Sequence, residues 1–343
     1  MSLEANSLAT HLQSLYEEAE RKCNQQQCED AIGLLEEAVR IQSGNAQLYY
    51  QLGFCHSGGC RRHSLTDPEM AVEYLRRALL LVGTSAEPLL RAKILDARGN
   101  TLVESRKGPQ TDRLREAIAC HREAAEIYQG GDLPEEWARE EFNQANIWCD
   151  LPASEFPDKW AEAIEHYENA LRVRTRVEDP QRFAATVMNL GTALRQLPSG
   201  DRAANVLKAV RCYRQALRVY TLDASRAQFA NLCNNLGNAC VSYPARDEPA
   251  RKRHARHAIR HFERALQVWA SEENECQYAL VEYNRGCAYL RLAAPEDFER
   301  AIACLSEAYE RSLSCGRPEI AALARAELER IVIPRNGPSE WDR

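Results

Sequence analysis

The stretch Pro180–Thr221 reads PQRFAATVMNLGTALRQLPSGDRAANVLKAVRCYRQALRVYT, and it contains the unit from which most of the chain is built. Its pattern predicts one helix, a break at LPSGDR and a second helix. A small residue stands late in the first helix, at Gly191, and recurs at intervals of about 46 residues. The aligned small residues are Gly53, Gly99, Ala145, Gly191, Gly237 and Gly286. A fixed period in this range predicts an array of repeated units.

The second helix of each unit repeats three columns of residues. An alanine comes first, an isoleucine or valine follows directly, and a second alanine comes seven residues after the first. The first alanines are Ala31, Ala71, Ala117, Ala163, Ala209, Ala258 and Ala301, and the second are Ala38, Ala78, Ala124, Ala170, Ala216, Ala265 and Ala308. Seven copies in register predict seven helix pairs.

Small residues seven positions apart lie on one face of a helix and let a second helix approach closely. A glycine inside a helix costs about 1 kcal/mol relative to alanine, so Gly191 and its equivalents require a packing reason. We expect the bulky residue four positions after each first alanine to fill the adjoining space. That column reads Leu35, Leu75, His121, Tyr167, Tyr213, Phe262 and Leu305. Only His121 departs from it, and we interpret it as a partly exposed or hydrogen-bonded core histidine.

These columns resemble the tetratricopeptide repeat (TPR): a small residue late in one helix, then alanine, a large residue and alanine in the next. The resemblance implies an all-α, right-handed superhelical α-solenoid of about seven helix pairs, with a C-terminal capping helix over 318–332. The family's usual unit has about 34 residues, and the longer unit here predicts that both helices are extended by about a turn. We expect a single solenoid over residues 1–333 and a flexible tail over 334–343.

The repeat register places each predicted helix pair along the chain. The predicted pairs are 5–22 with 28–42, 46–57 with 68–82, 87–105 with 111–129, 134–150 with 157–176, 180–197 with 201–221, 224–242 with 248–270, and 273–292 with 296–313. Prolines recur where the first helices begin, at Pro88, Pro134 and Pro180, and proline is well tolerated at the first helical position.

The 343 residues are 45% hydrophobic and 27% charged, with a net charge of −6, which is an ordinary soluble composition. The mild acidity argues against binding of nucleic acid over the whole surface. No run approaches the ~18 apolar residues of a membrane span, and the start MSLEANSLATHLQ lacks the pattern of a secretory signal. We therefore expect a cytoplasmic protein whose cysteines are reduced. The helical cysteines Cys149, Cys212, Cys233, Cys240 and Cys304 are interpreted as small buried hydrophobes.

A polar column lies two residues before the small residue of each first helix. It contains Gln51, Asn143, Asn189, Asn235 and Asn284, and Ala97 interrupts it. In TPR arrays this face lines the inner surface, and the resemblance implies that the amides there bind the backbone of an extended peptide. An amide can both donate to a peptide carbonyl and accept from a peptide N–H. The candidate peptide-binding residues are Gln51, Asn143, Asn146, Asn189, Arg195, Asn235, Asn238 and Asn284, and Arg139 is a further candidate for charge selection. The alternative is that these amides bond between adjacent repeats and only stabilise the array.

The densest basic run, Arg246–Arg264, suggests an alternative function. It would bind an anionic partner, either nucleic acid or an acidic protein segment. The competing interpretation, which we favour, is a solvated helix face with intrahelical ion pairs, for instance between Glu263 and neighbouring arginines.

The sequence gives little support for a metal site, an active site or a cofactor site. Cys55, His56, Cys60 and His63 have zinc-binding side chains, but their spacing matches no tight finger pattern, so we expect no metal. There is no glycine-rich phosphate loop, GxSxG or HExxH motif, so we expect neither an enzyme nor a cofactor, and a small-molecule ligand is disfavoured.

The sequence NLGTALRQLPSGDRAANVLKAVRCYRQALRVYT resembles the long repeats of bacterial TPR arrays that accompany CHAT cysteine-peptidase domains or signalling NTPases. The asparagine column is similar to that of kinesin light chains. These resemblances imply a non-enzymatic scaffold, adaptor or regulatory subunit that binds an extended segment of a protein partner. Any enzymatic activity would lie in a separate chain, such as a CHAT-type protease or a signalling protein.

Overall fold

The computed structural model describes residues 3–59, 65–84, 87–271 and 274–332. Within these ranges it contains fifteen helices and no strand, so the predicted all-α fold is confirmed. The helices are α1 (Leu3–Asn24), α2 (Cys28–Ile41), α3 (Ala46–His56), α4 (Pro68–Val82), α5 (Pro88–Glu104), α6 (Gln110–Gly130), α7 (Pro134–Asp150), α8 (Lys159–Ala170), α9 (Pro180–Gln196), α10 (Arg202–Ala216), α11 (Arg226–Ser242), α12 (Glu248–Ser271), α13 (Glu275–Leu290), α14 (Pro295–Ser314) and α15 (Pro318–Val332).

The helices group into two compact units, Met1–Arg174 and Thr175–Arg343. The first unit contains the pairs α1/α2, α3/α4, α5/α6 and α7/α8, and the second contains α9/α10, α11/α12 and α13/α14. Within each unit a helix packs on its partner and on the next helix along the chain, as in a TPR solenoid. The last helix, α15, packs on α14 and α13, in the position predicted for a cap. The single solenoid over 1–333 stays a prediction, and the predicted tail over 334–343 lies outside the described residues.

Local capping explains where the helices of the fifth pair begin. Pro180 occupies the first turn of α9, and the Asp179 carboxylate accepts from the Arg182 N–H. At the start of α10 the Asp201 carboxylate accepts from the N–H groups of Ala203 and Ala204, at 2.8 and 3.2 Å. Such caps satisfy N–H groups that have no partner inside the helix. The LPSGDR break is therefore encoded locally.

The second helices of the fourth and fifth pairs are shorter than predicted. We expected them to reach residues 176 and 221, but α8 ends at Ala170 and α10 at Ala216. Beyond these alanines some N–H groups bond three residues back, for example Val219 to Ala216 at 2.9 Å, while others still bond four residues back, for example Tyr220 to Ala216 at 2.8 Å. The tighter turns redirect the chain so that the Tyr220 hydroxyl donates to the Gln181 carbonyl at 3.0 Å. The predicted extension holds for α6, α12 and α14.

The glycine column lies where paired helices cross. A Cβ added at Gly53 would lie 2.5 Å from Leu75 Cγ, and one at Gly286 would lie 2.8 Å from Leu305 Cγ. Both distances are too short for real carbon atoms, so only glycine fits without a shift of the neighbour. The bulky residue four positions after the first alanine therefore fills the space beside the glycine, as predicted.

The two alanine columns form the centre of each pair. All fourteen of these alanines have no exposed surface. The intervening isoleucine and valine column is more mixed, since Ile32 and Ile259 are buried and the other members are partly exposed. Of the cysteines predicted to be buried, Cys233 and Cys304 are, whereas Cys149, Cys212 and Cys240 remain partly exposed. Among the described helices, none has the length and apolar character that crossing a membrane requires.

Candidate functional site

A cavity of about 680 Å³ opens on the face of the first unit formed by the first helices of its pairs. Its walls come from α1, α3, α5 and α7, together with the end of α6 and the turn after it. The aromatic and aliphatic lining consists of Tyr16, Tyr50, Leu89, Leu90, Tyr128 and Leu133. The polar lining consists of Glu20, Gln47, Gln51, Lys93, Asp96, Glu136 and Arg139.

Helical spacing explains why these side chains converge. On α5, Leu90, Lys93 and Asp96 follow one another at three-residue intervals, and such residues share a helix face. A second cavity of about 240 Å³ shares Tyr50, Lys93 and Asp96 with the first and continues toward Glu104 at the end of α5. The two cavities therefore form one elongated depression, here called the first-unit groove.

A buried ionic network underlies this groove. His121 Nδ1 donates to Glu140 Oε2 at 2.7 Å, and neither side chain is exposed. Arg139 Nη2 lies 3.2 Å from both Asp96 Oδ2 and Glu140 Oε1. Burial raises the pKa of Glu140, while the hydrogen bond from His121 and the Arg139 charge oppose part of that shift. The histidine that interrupts the bulky column is thus a hydrogen-bonded core residue.

The network fixes the Arg139 guanidinium at the wall of the groove. Its Cζ lies 5.8 Å from the centre of the Tyr128 ring, and two carboxylates hold its nitrogen atoms. Burial raises the pKa of Tyr128, so that its hydroxyl stays protonated. The first-unit groove therefore presents Arg139 in one orientation, already compensated by negative charge.

The same network contains the donor types of a metal site. Ligand atoms of Asp96, His121 and Glu140 lie within 4.8 Å of one another. The Arg139 guanidinium, however, already contacts both carboxylates and supplies the positive charge that they need. We interpret the arrangement as an ionic network. The sequence candidates Cys60 and His63 lie outside the described residues, while His56 Nδ1 is 2.9 Å from the Leu65 carbonyl oxygen.

Three charged residues of the groove lie outside this ionic network. Glu20 on α1, Lys93 on α5 and Glu136 on α7 line the larger cavity. Among the described residues, none of the three forms an ion pair. They are the charges that remain available to a bound partner.

The predicted amide column is only partly in this groove. All eight candidate residues are partly exposed. Gln51 lines the larger cavity, and Asn143 lies one turn after Arg139 on α7. The candidates of the second unit lie on α9, α11 and α13: Asn189, Arg195, Asn235, Asn238 and Asn284.

Among the candidate amide residues, Asn146 and Asn284 form hydrogen bonds inside the protein, and Asn189 also has an interaction partner. Asn146 accepts from the Tyr167 hydroxyl at 2.7 Å, and Asn284 Nδ2 donates to Asn234 Oδ1 of the preceding pair at 2.9 Å. The latter bond is the inter-repeat contact of the alternative interpretation. By contrast, the side chains of Gln51, Asn143, Asn235 and Asn238 make no hydrogen bond to the rest of the described protein. Peptide binding by the column stays a prediction.

From Glu248 onward the basic run lies on α12, and its arginines are exposed, including Arg253 and Arg256. Lys252 pairs with Glu248 at 2.7 Å, four residues apart, and Arg264 lies 5.0 Å from the centre of the Phe229 ring. These contacts favour a solvated helix face over an anion-binding site. A cavity of about 320 Å³ lies beside α12 and is lined by Tyr243, His254 and Arg291 among others.

Most residues of the groove were not among the candidates predicted from the sequence. Three residues before the small residue of the first helix stand Tyr50 and Asp96, and six residues before it stand Gln47 and Lys93. Arg139, also six residues before it, was a candidate for charge selection. A signal was present, since these columns are polar or aromatic in the first helices of the second, third and fourth pairs. A second signal was that His121 and Glu140 both depart from their columns. In the other helix pairs the position of Glu140 holds mainly aliphatic residues.

Comparisons with known proteins identify the fold. No protein-family model matches the chain, and no curated protein matches it either. Among solved structures, the C-terminal part of a TPR repeat-containing protein from Cytophaga hutchinsonii is similar with a TM-score of 0.54 and 12% identity, over 86% of this chain and 94% of that one. PilF from Pseudomonas aeruginosa is similar with a TM-score of 0.51 and 16% identity, over 79% and 96%.

A third similar structure is a signal transduction ATPase with a TPR sensor from Pyrococcus horikoshii. Its TM-score is 0.55 at 12% identity, and the match covers 94% of this chain and 48% of that protein. At these identities the comparisons show a TPR-like fold. The narrower resemblance to CHAT-associated and kinesin-light-chain arrays stays a prediction.

Proposed function

We propose that the chain is a non-enzymatic protein-interaction scaffold whose first-unit groove binds an extended segment of a partner protein. The observation that carries this proposal is the groove itself, since two connected cavities of about 680 and 240 Å³ run across successive first helices. An elongated depression with aromatic, aliphatic and unpaired charged side chains suits a peptide, which offers all three kinds of contact along its length.

The amide column extends the proposal to the backbone of the bound segment. Gln51 within the groove, and Asn235 and Asn238 in the second unit, have side-chain amides without a partner among the described residues. Each hydrogen bond to a peptide contributes about 0.5–1.5 kcal/mol, so several in series are needed. They would hold the segment irrespective of its sequence.

The biological setting that we propose is a cytoplasmic adaptor or regulatory subunit. Its partner would be a separate bacterial protein, such as a CHAT-type protease or a signalling NTPase. The similarity to an ATPase that carries a TPR sensor supports this class of partner, because there the same fold is attached to a signalling domain.

A double variant in the groove and an exposed-leucine control outside it test the groove. Leu89 lines it and is 48% exposed, whereas Leu80 on α4 is 62% exposed and lies outside it. Proteins captured from the source cell by the wild type should be lost with Leu89→Ala combined with Tyr50→Ala, and retained with Leu80→Ala. Each partner is then purified and its affinity measured directly. Unchanged affinity for the folded groove variant would contradict the proposal.

The amide column has its own test. With the same purified partner, Asn189→Ala combined with Asn235→Ala should weaken binding if the column holds the segment. Unchanged affinity, with unchanged circular dichroism, would remove the column from the proposal and leave the groove.

A further inference from the structure

We infer that the segment bound in the first-unit groove is basic, and that its lysine or arginine side chain enters the larger cavity between Glu20 and Glu136. This inference rests on the proposed function and specifies its ligand. The two glutamates come from α1 and α7, on either side of the first unit, yet they line one cavity. Since neither forms an ion pair within the described protein, a cation from the ligand would meet two uncompensated carboxylates.

The charge balance of the cavity favours a cation. Its lining carries three carboxylates, on Glu20, Asp96 and Glu136, against the cations of Lys93 and Arg139. Arg139 is already held by Asp96 and by the buried Glu140, at 3.2 Å from each. Its charge is therefore compensated inside the protein, which leaves two carboxylates, on Glu20 and Glu136, against the single cation of Lys93. A complementary charge on the partner would both speed encounter and select the ligand.

The uncharged lining also suits a long cationic side chain. Tyr16 and Tyr50 line the cavity, and aromatic faces attract ammonium and guanidinium groups. The aliphatic stem of a lysine or arginine gains by contact with apolar surface such as Leu89 and Leu90. An acidic or purely apolar segment would leave Glu20 and Glu136 without compensation.

The corresponding positions of the second unit do not reproduce this charge. At the position of Glu136, nine residues before the small residue, they carry Arg182, Gln228 and Gln277. None of these side chains is acidic. The preference for a basic segment is thus a property of the first unit.

Fluorescence anisotropy with synthetic peptides tests the inference. The probe is a fluorescein-labelled decapeptide in which arginine alternates with valine, and the comparison peptides replace each arginine by glutamine or by glutamate. The arginine peptide should bind the full-length protein at least tenfold more tightly than either comparison peptide. Its affinity should fall as salt is raised from about 0.05 to about 0.5 M, because screening weakens exposed charges.

Paired substitutions locate the binding on the protein. Glu20→Gln combined with Glu136→Gln should weaken the arginine peptide by about fivefold to tenfold, as expected for two exposed or half-exposed charge contacts. Lys93→Gln should strengthen it, since a repelling charge is removed. The control is Glu165→Gln combined with Glu168→Gln, which makes the same charge change on exposed positions of α8 and should leave the affinity unchanged.

Three results would overturn the inference. They are binding of the glutamine or glutamate peptide as tight as that of the arginine peptide, an arginine-peptide affinity insensitive to the Glu20 and Glu136 substitutions, and no arginine-peptide binding at about 1 mM. The proposed function is judged separately. If a natural partner loses affinity for the Leu89 and Tyr50 variant while the arginine peptide fails, the groove binds a segment of another chemistry.

Discussion

The ring of Tyr213 on α10 occupies the space beside the Cα atom of Gly191 on α9. A Cβ at position 191 would lie 2.7 Å from Tyr213 Cε1 and 3.2 Å from the Ala209 carbonyl oxygen. Tyr213 is fully buried, and its hydroxyl lies 3.3 Å from Thr192 Oγ1. Because the ring cannot move away freely, the close crossing of these two helices depends on the absence of a side chain at Gly191.

Gly191→Ala should therefore lower the free energy of unfolding. Overpacking costs about 1–3 kcal/mol, which outweighs the gain of at most about 1 kcal/mol in helix propensity. Gly33→Ala on α2 is the matched control, because a Cβ there meets no atom within 4 Å. It should stabilise the protein by about 0.5–1 kcal/mol. Urea denaturation measures whether each substitution raises or lowers the free energy of unfolding. A stabilised Gly191→Ala variant would show that the helix crossing is not tight.

The buried pair His121 and Glu140 predicts strong coupling between two substitutions. His121→Leu restores the residue found at Leu35 and Leu75, but it removes a hydrogen-bond partner from a buried carboxylate and should cost about 3 kcal/mol. Adding Glu140→Leu, which matches the buried Leu48 and Leu232 of other pairs, should recover most of that loss. A double-mutant cycle in urea measures the coupling. Additive losses would contradict this account of the network.

Glu69 predicts a pH-dependent link between α4 and the end of α5. Its carboxylate accepts from the Arg106 N–H at 2.9 Å, from the Ser105 hydroxyl and from the Lys107 N–H, and these bonds lower its pKa below the ordinary 4.5. A lowered folded-state pKa contributes stability above the ordinary value, and the contribution is lost as pH falls through the folded-state value.

Glu69→Gln should accordingly lower the melting temperature at pH 7 by about 2–4 °C, and by progressively less below about pH 4.5. Glu73→Gln provides the comparison, because the Glu73 carboxylate pairs with Arg76 on the exposed surface of α4. Surface pairs of this kind contribute about 1 kcal/mol or less, so its effect should be small at both pH values. If Glu69→Gln lowers the melting temperature equally at low and neutral pH, the proposed link between the Glu69 pKa and stability is ruled out.

Burial predicts unreactive thiols in the second unit. Burial raises the pKa of Cys233 to about 11 and that of Cys304 to about 12. Since the thiolate is the nucleophile, iodoacetamide at about pH 8 should label both slowly in the native protein and rapidly in urea. The partly exposed Cys276 is the internal reference, and mass spectrometry follows all three. If Cys233 is labelled in the native protein as fast as in urea, the helix pair α11/α12 opens readily.

The fold was predictable because its packing residues repeat. Gly191, Ala209 and Ala216 recur in register since every helix pair must solve the same crossing problem. The ends of α8 and α10 were not predictable from these columns, because they depend on turns beyond the last alanine and on the contact of Tyr220 with Gln181.

The site was harder to predict for a physical reason. A surface that selects a partner varies from one repeat to the next, so the regular asparagine column did not indicate Lys93 or Asp96. Gln51 is the candidate shared by the column and the groove. Glu20 and Glu136 come together only through the packing of four helix pairs, which no spacing in the sequence displays.

Site-specific photo-crosslinking tests the central claim, that the first-unit groove is the binding surface, most directly. The photoreactive amino acid p-benzoylphenylalanine is introduced at position 89 or 93 in the groove, and at position 165 or 168 on α8, in the cell that makes the protein. All four positions are exposed. Illumination should attach the same discrete partner protein at positions 89 and 93 and none at positions 165 and 168. A partner attached from the α8 positions, with no product from the groove, would contradict the account.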